Sequence, residues 1–258
     1  MKPRRWVVWI VAAVWVGCPA GVFAQEAERV VRLHGATTTV KGLITPYKAA
    51  VERATGLTLE VVGNATGRGL VDLAEGRCDI ALTSEPLDIA IIAAKNAGKE
   101  LQAESFEIHA VMSDEIVFIV HPSNPVRELT WAQIRDIHTG KIKNWKEAGG
   151  PDMPIVVFTD AVTGGTRAMI KKIVMGNEAY GPASRPLEAV KFVNDQVAEL
   201  KGGFGGLGKG FVNPKRVKVI VTDKVERPLG FITRKGETSE PVKKVIDAFA
   251  AEVAKAAR

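Results

Sequence analysis

The chain has 258 residues, of which 46% are hydrophobic and 25% are charged, and its formal net charge is +6. A chain of this length and composition can bury a core large enough to fold without disulfide bonds. The small excess of positive charge is spread along the sequence, so we expect neither a nucleic-acid partner nor a membrane-binding surface.

The first 24 residues have the pattern of a secretory signal peptide. A basic start at 2–5 precedes an apolar run at 6–17, which is too short to span a bilayer comfortably. Val22 and Ala24 supply the small side chains that a signal peptidase requires, so we predict cleavage before Gln25. The sequence therefore predicts export to the periplasm or secretion.

Two alternatives to cleavage remain open, namely a retained membrane anchor and lipidation at Cys18. Trp15 lies where a lipidation site has a small aliphatic residue, which disfavours the second alternative. Removal of the signal peptide leaves Cys78 as the one cysteine, so the mature chain cannot form an internal disulfide. Cys78 precedes an apolar run, and we predict that it is a small buried hydrophobic residue.

Short apolar strands alternate with amphipathic helices along the mature chain, which is typical of an α/β protein with largely parallel sheets. The predicted strands are 29–33, 58–62, 79–82, 115–120, 155–158, 190–193, 217–221 and 229–233. The predicted helices are 39–54, 68–75, 129–137 with Thr130 and Gln133 as a capping box, 166–173, a helix from Asn194 to about 201, and 241–256 with Pro241 in its first turn. The glycine-rich stretch 202–210 is predicted to hold a buried strand at 204–207, with a surface loop as the alternative.

Four loops with a similar polar character follow predicted strands. They are 35–39, 63–69, 83–86 and 163–166. Three of them lead into helices, and hydroxyls with glycine amides at a helix N-terminus form a small anion site. Because ligands of open α/β sheets bind beyond the carboxyl ends of the strands, we expect the four loops to converge on one cleft. The alternative is that each loop only caps its own helix.

Other chemistries find little support in the sequence. The loop 63–69 matches neither a P-loop nor a dinucleotide-binding turn. No nucleophile elbow is present, and Ser84 has no evident partner for a catalytic triad. The four histidines lack the short spacings of a zinc site; they are His34, His109, His121 and His138. We therefore predict a protein that is not an enzyme and that uses neither a metal nor a cofactor.

Several longer motifs point to a known family. They read G-A-T-T-T from Gly35, G-R-G-L-V-D-L-A-E-G-R-C-D-I-A from Gly67, F-I-V-H-P-S-N-P-V from Phe118, L-T-W-A-Q-I-R-D-I-H-T-G-K-I-K-N-W-K-E from Leu129, G-G-T-R from Gly164 and R-P-L-G-F-I-T-R-K-G-E from Arg227. With these motifs, nearly the whole mature chain resembles the type 2 periplasmic solute-binding proteins, specifically the phosphate-binding group of ABC uptake systems.

The resemblance implies an α/β fold of two lobes, each a mostly parallel sheet flanked by helices, that close on a ligand by hinge motion. Lobe one would comprise 29–117 plus 229–258, and lobe two 118–228, with crossing segments at 115–121 and 228–233. The implied partners are a small anionic ligand and the membrane subunits of an ABC transporter. We expect the protein to act as a monomer.

The resemblance also implies a set of ligand-binding residues. A hydroxyl of the first loop and a polar side chain of the second would donate to the anion, Glu85 beside Ser84 would accept the proton of the anion, and the last loop would give amides and a hydroxyl. The corresponding residues are Thr37 or Thr38, Thr66 or Asn64, Ser84, Glu85, Gly164, Gly165 and Thr166.

One position departs from the family pattern. The phosphate-binding relatives have an arginine six residues before the final threonine of the last loop, where this chain has Asp160. An arginine forms bidentate bonds with an oxyanion, whereas an aspartate repels a dianion by several kcal/mol at an effective dielectric of about 20. Arg68 and Arg167 are candidates to replace the missing charge.

The sequence thus predicts an exported protein that captures phosphate or a phosphate-like oxyanion for ABC-type uptake. The alternative is a paralogue that has no ligand or a different ligand and acts as a sensory or interaction module.

Overall fold

A computed structural model describes residues 30–257. The predicted signal peptide at 1–24, Cys18 and the cleavage before Gln25 lie outside the described residues. Within 30–257, no helix is both long enough and apolar enough to cross a bilayer. Cys78 is free and buried, which confirms its prediction as a core residue.

The chain alternates strands and helices in the predicted manner. The strands are β1 (Val30–Gly35), β2 (Thr58–Gly63), β3 (Ile80–Thr83), β4 (Phe106–Val120), β5 (Val156–Thr159), β6 (Ser184–Pro186), β7 (Gly203–Gly208) and β8 (Lys218–Arg234). The helices are α1 (Thr37–Thr39), α2 (Thr45–Thr55), α3 (Thr66–Ala74), α4 (Leu87–Asn96), α5 (Trp131–Thr139), α6 (Gly165–Met169), α7 (Val193–Glu199) and α8 (Glu240–Ala256). Wider helical turns at Val40–Ile44 and Ile170–Val174 join α1 to α2 and extend α6.

The strands form one mixed sheet in the order β2-β1-β3-β8-β4-β7-β5-β6. Pairing is parallel at both flanks, where β1 lies beside β2 and β3 and where β5 lies beside β6 and β7. In the middle, β4 and β8 pair antiparallel from Phe106–Arg234 to Val120–Lys218. These two long strands carry the chain between the flanks, which we call the β1 side (β2, β1, β3 and their loops) and the β5 side (β7, β5, β6 and their loops).

Each side has its own hydrophobic core. On the β1 side, Leu33, Phe231 and Phe249 belong to a cluster that packs the sheet against α2 and α8. On the β5 side, Phe118 and Trp145 belong to a separate cluster. Two cores joined by two crossing strands are the two-lobed α/β arrangement that the resemblance implies. The lobe bounds given above stay a prediction.

The glycine-rich stretch 202–210 contains the predicted buried strand. All six residues of β7 are buried. Phe204 stacks on Phe118 with ring centroids 5.8 Å apart, and Leu207 packs with Val193 and Val197 in a neighbouring cluster. The strand is covered on both faces, which excludes the surface-loop alternative.

Three predicted strands are wrong in their type or extent. The segment 190–193 is a short helical turn that leads into α7, because Val190, Val193 and Val197 are buried with a helical spacing. Asn194 therefore lies inside α7, where its side-chain oxygen accepts from the amide of Asn213 at 2.8 Å. The segments 218–221 and 229–233 belong to one strand, β8, because residues 225–228 between them pair with β4 after a bulge between Ile220 and Val225.

The helix α4 was not predicted from the sequence. Its residues, L-D-I-A-I-I-A-A-K-N, are mostly apolar and lack the polar stripe of an amphipathic helix. In the structure, Ile89, Ala90, Ala93 and Ala94 are its buried residues. The capping box that begins α5 is confirmed: the Gln133 amide donates to Thr130 Oγ1 at 3.2 Å, and the Thr130 amide donates to Gln133 Oε1 at 2.9 Å.

Candidate ligand-binding site

A cavity of about 680 Å³ lies between the loops of the β1 side and those of the β5 side. The predicted site residues that line it are Thr37, Thr38, Asn64, Thr66, Ser84, Asp160, Gly165 and Thr166. They follow the carboxyl ends of β1, β2, β3 and β5. β5 runs antiparallel to β1–β3, but the two sets of strands pair with different stretches of β4 and β8, so their carboxyl ends point toward each other and the four polar loops converge. The remaining two predicted residues, Glu85 and Gly164, lie directly behind this lining.

Glu85 is fully buried, and the hydroxyls of the chain itself bind its carboxylate. Thr66 Oγ1 donates to Oε2 at 2.7 Å, and the hydroxyl of Ser84 donates to Oε1. Gly165 packs against the same group, since a Cβ added there would lie 1.9 Å from the carboxylate carbon. Any larger residue at 165 would therefore push the last loop away from Glu85.

Asp160 lines the cavity with only 6% of its surface exposed. The Ala161 amide donates to its Oδ1 at 2.8 Å, and its carboxylate packs against Gly164. Burial raises the pKa of Asp160 to about 6, and the nearby charge of Glu85 adds to this, while the Ala161 amide and Arg227 oppose it. Asp160 is thus neutral in mildly acidic solution and charged above that pH.

Arg227 lies behind the cavity lining and was not among the predicted site residues. Its guanidinium is completely buried. Nε and Nη2 donate to Asp114 Oδ2 at 3.0 and 2.8 Å, and Nη1 lies 3.6 Å from Glu85 Oε1. Nη1 also donates to Thr166 Oγ1 at 2.8 Å, and Nη2 to Thr38 Oγ1 at 3.4 Å. One cation therefore joins the two sides of the cleft.

The sequence contains a signal for this buried arginine. Val225, Arg227 and Leu229 alternate with more exposed neighbours along β8, and all three are buried. Alternation with a period of two is the pattern of a strand with one buried face, and an arginine on that face requires acidic or hydroxyl partners. Those partners come from distant parts of the chain, so the sequence alone does not name them.

The two arginines considered as replacements for the missing family arginine differ in position. Arg68 is exposed and lines the cavity at the start of α3. Arg167 points elsewhere: it donates to the hydroxyls of Thr159 and Ser184 and stacks on Tyr180, with its Cζ 3.7 Å from the ring centroid. Arg68 is therefore the better placed of the two.

The second loop is fixed by an acidic anchor outside the cavity. Asp72 Oδ2 accepts from Asn64 Nδ2 and also contacts His34 Nδ1, both at 2.8 Å, and Asp72 Oδ1 accepts from Arg77 Nε at 2.7 Å. Burial alone would raise the pKa of Asp72, but the bonds from His34, Arg77 and Asn64 outweigh it, so the pKa lies below its usual value. The charged anchor holds Asn64 at the cavity wall.

The loops of the two sides are in direct contact. The Gly67 amide at the start of α3 donates to the Thr163 carbonyl at 3.2 Å, and Lys172 forms an ion pair with Asp88 of α4. Gly67 has no room for a side chain, because an added Cβ would lie 2.2 Å from the Ala93 carbonyl oxygen. Segments of the two sides thus touch beside the cavity.

The comparisons with known proteins agree with this architecture. The family model of the PBP superfamily domain matches residues 24–255. The chain belongs to the PBP superfamily. This confirms the resemblance and the fold class inferred from the sequence motifs.

Three similar proteins illustrate this membership of the PBP superfamily. The phosphate-binding protein PstS of Bacillus subtilis (strain 168) is 24% identical over 204 residues, which cover 78% of this chain and 64% of that protein. A crystal structure from Clostridium perfringens, described as a phosphate ABC transporter substrate-binding protein with bound phosphate, has a TM-score of 0.75 and 27% identity, with 88% of this chain and 97% of that chain covered. An ABC-type phosphate transport receptor from Vibrio cholerae has a TM-score of 0.66 at 23% identity, covering 88% and 96%, and supports the fold.

The match to the curated relative is partial in length. The chain spans 64% of the B. subtilis protein. The ligand and the transporter of these relatives are therefore carried to this chain only as a proposal.

Proposed function

We propose that this chain is an exported solute-binding protein that captures a small oxyanion, phosphate or a phosphate-like ligand, in the cleft between two lobes for ABC-type uptake. The observation that carries the proposal is that the Thr38 and Thr166 hydroxyls, from the two sides of one cavity, both accept hydrogen bonds from Arg227, which is buried behind the cavity lining. The two phosphate-binding relatives at 24% and 27% identity support the choice of ligand.

The proposed anion site uses mostly neutral donors. Thr38 and Thr166 line the cavity, and the start of α3 adds a helix N-terminus that favours negative charge. Arg68, also at that start, provides a cation on the exposed side. An anion held by hydroxyls and amides is bound through directed hydrogen bonds, which select its shape more strictly than an exposed charge does.

The proposed lobes are 29–117 plus 229–258, and 118–228. Their hinges lie where β4 and β8 run side by side through the middle of the sheet. Opening at these hinges would separate Thr38 from Thr166, and closure would bring both onto one ligand. Small-angle scattering should show a smaller radius of gyration when phosphate is added. An unchanged radius with calorimetrically proven binding would contradict the two-lobed clamp.

Asp160 sets the expected charge of the ligand. When ionised, it would face a dianion with like charge, and when protonated, it would offer a hydrogen-bond donor. We therefore expect the singly charged form of phosphate to bind better than a dianion such as sulfate. Asp160 lies at the position where the phosphate-binding relatives have an arginine.

Isothermal titration calorimetry with phosphate tests the proposal. Thr166→Val should weaken binding about tenfold or more, because a lost hydrogen bond to a charged group costs about 1.5–3 kcal/mol. Thr58→Val is a matched control, since Thr58 is an exposed strand residue outside the cavity. If the wild-type protein binds no phosphate, sulfate or related oxyanion, the proposal is refuted and the sensory or interaction reading takes its place.

A further inference from the structure

The guanidinium of Arg227 contacts four partners from four different segments, three through hydrogen bonds and Glu85 as an ion pair. Asp114 lies on β4, Glu85 follows β3, Thr38 belongs to α1, and Thr166 belongs to α6. The side chain has no exposed surface and is not part of the cavity lining. Arg227 therefore does not touch a molecule in the cavity; its effect on a ligand passes through the residues it holds.

The direction of each hydrogen bond separates the cavity hydroxyls into two groups. A guanidinium only donates, so Thr38 and Thr166 accept from Arg227 and keep their own O–H for another acceptor. Neither O–H has an acceptor elsewhere in the described part of the chain. The hydroxyls of Thr66 and Ser84, by contrast, already donate to Glu85. Of these four hydroxyls, the two on Thr38 and Thr166 are thus available to donate to a ligand and the two on Thr66 and Ser84 are not.

We propose that Arg227 is a positioning residue that holds the hydroxyls of Thr38 and Thr166 as a pair of donors to the bound oxyanion, one from each side of the cleft. This inference rests on the proposed function. The two threonines meet on one guanidinium only when the sides of the cleft are together. Arg227 therefore brings both donors together only in the closed arrangement. The ligand affinity depends on Arg227 although Arg227 does not contact the ligand.

The neighbouring charges explain why Arg227 orients the two hydroxyls and does not bind the ligand directly. Asp114 binds two of its nitrogens, and Glu85 lies near a third. The positive charge is therefore largely compensated inside the fold, as a buried cation requires. What reaches the cavity is the orientation of the two hydroxyls.

A double-mutant cycle in phosphate affinity tests the inference. Arg227→Lys keeps the charge but cannot form the planar fork that reaches Thr38, Thr166 and Asp114 together. We expect it to weaken binding about tenfold, and to weaken it less than twofold when Thr38→Val and Thr166→Val are already present. Arg216→Lys, at an exposed arginine paired with Asp195, is the matched control.

Two further variants keep the test decisive. If Arg227→Lys does not fold, Asp114→Asn loosens the same guanidinium while leaving the arginine in place, and its effect should likewise vanish in the double valine background. Thr166→Ser should restore the affinity that Thr166→Val loses, because it returns the hydroxyl. If the double valine protein binds too weakly to measure, Thr166→Val alone serves as the background, and the effect of Arg227→Lys should shrink there.

The outcomes separate the inference from the proposed function. If the wild-type protein binds phosphate and the effect of Arg227→Lys is equally large with and without the two threonines, Arg227 does not act through them and the inference is overturned. If the wild-type protein binds no oxyanion at all, the proposed function is refuted and the inference falls with it.

Discussion

Replacement of Asp160 by asparagine removes a buried carboxyl group whose ionisation opposes folding. The pKa of Asp160 is raised from 3.8 to about 6 because the group is buried, with a further contribution from Glu85. The folded protein thus keeps this proton at pH values where the unfolded chain has released it. Linkage then requires that the free energy of unfolding falls as the pH rises from about 4 to about 6, and stays at the lower level above that.

The size of the effect follows from the two pKa values. Each unit of difference corresponds to about 1.4 kcal/mol, so the full cost of ionised Asp160 is about 3 kcal/mol near pH 7.5. At pH 4.5 only about 1 kcal/mol of this cost is present, because the folded carboxyl is still protonated. The asparagine side chain of Asp160→Asn is uncharged at every pH, so the stability of this variant is not lowered by ionisation at position 160. The stability gap between variant and wild type should therefore widen by about 2 kcal/mol between pH 4.5 and pH 7.5.

Urea unfolding followed by circular dichroism at both pH values measures this gap. Asparagine can still accept the Ala161 amide, so the local backbone has no reason to change. Asp223→Asn, at an exposed carboxylate, controls for the loss of a negative charge. A gap that is the same at pH 4.5 and pH 7.5 would refute the reasoning, since it would mean that Asp160 has an ordinary pKa in the folded protein.

Three further predictions concern the cleft and the core. Asp160→Arg should strengthen phosphate binding about tenfold or more at pH 7.5 by calorimetry, because it replaces a repulsive carboxylate with a bidentate donor; loss of binding would show that Asp160 is instead an acceptor for the ligand. Gly165→Ala should abolish phosphate binding in the same assay, because its Cβ would overlap the Glu85 carboxylate, whereas Gly210→Ala, which has open space, should bind normally. His138 is buried with its pKa lowered to about 4 mainly by burial, so its contribution to stability is lost as the pH falls from 6.5 towards 4. Between pH 7.5 and pH 4.5 the wild-type protein should lose about 2.5 kcal/mol that His138→Gln does not lose, and equal losses in urea titrations would contradict this.

The site illustrates how far local sequence information reaches. The four polar loops could be predicted because each follows an apolar strand, and ligands of open α/β sheets bind beyond the carboxyl ends of strands. The position of Asp160 could be predicted as a departure from the family pattern. The roles of the hydroxyls could not, because Thr66 and Thr166 look alike in sequence. One donates to Glu85 and the other accepts from Arg227, and those partners are 19 and 61 residues away.

The fold divides in the same way. The sequence by itself determined the alternation of strands and helices, the buried strand among the glycines and the capping box of α5, because periodicity and capping are local properties of the chain. Only the tertiary structure decided that 190–193 turns into a helix, that α4 exists without a polar stripe, and that β8 continues beside β4 through two bulges. It also decided that Arg227 is buried against Asp114, Glu85, Thr38 and Thr166. The physical reason is that burial and pairing depend on which distant segments meet, and a buried charge is stable only where such segments supply its partners.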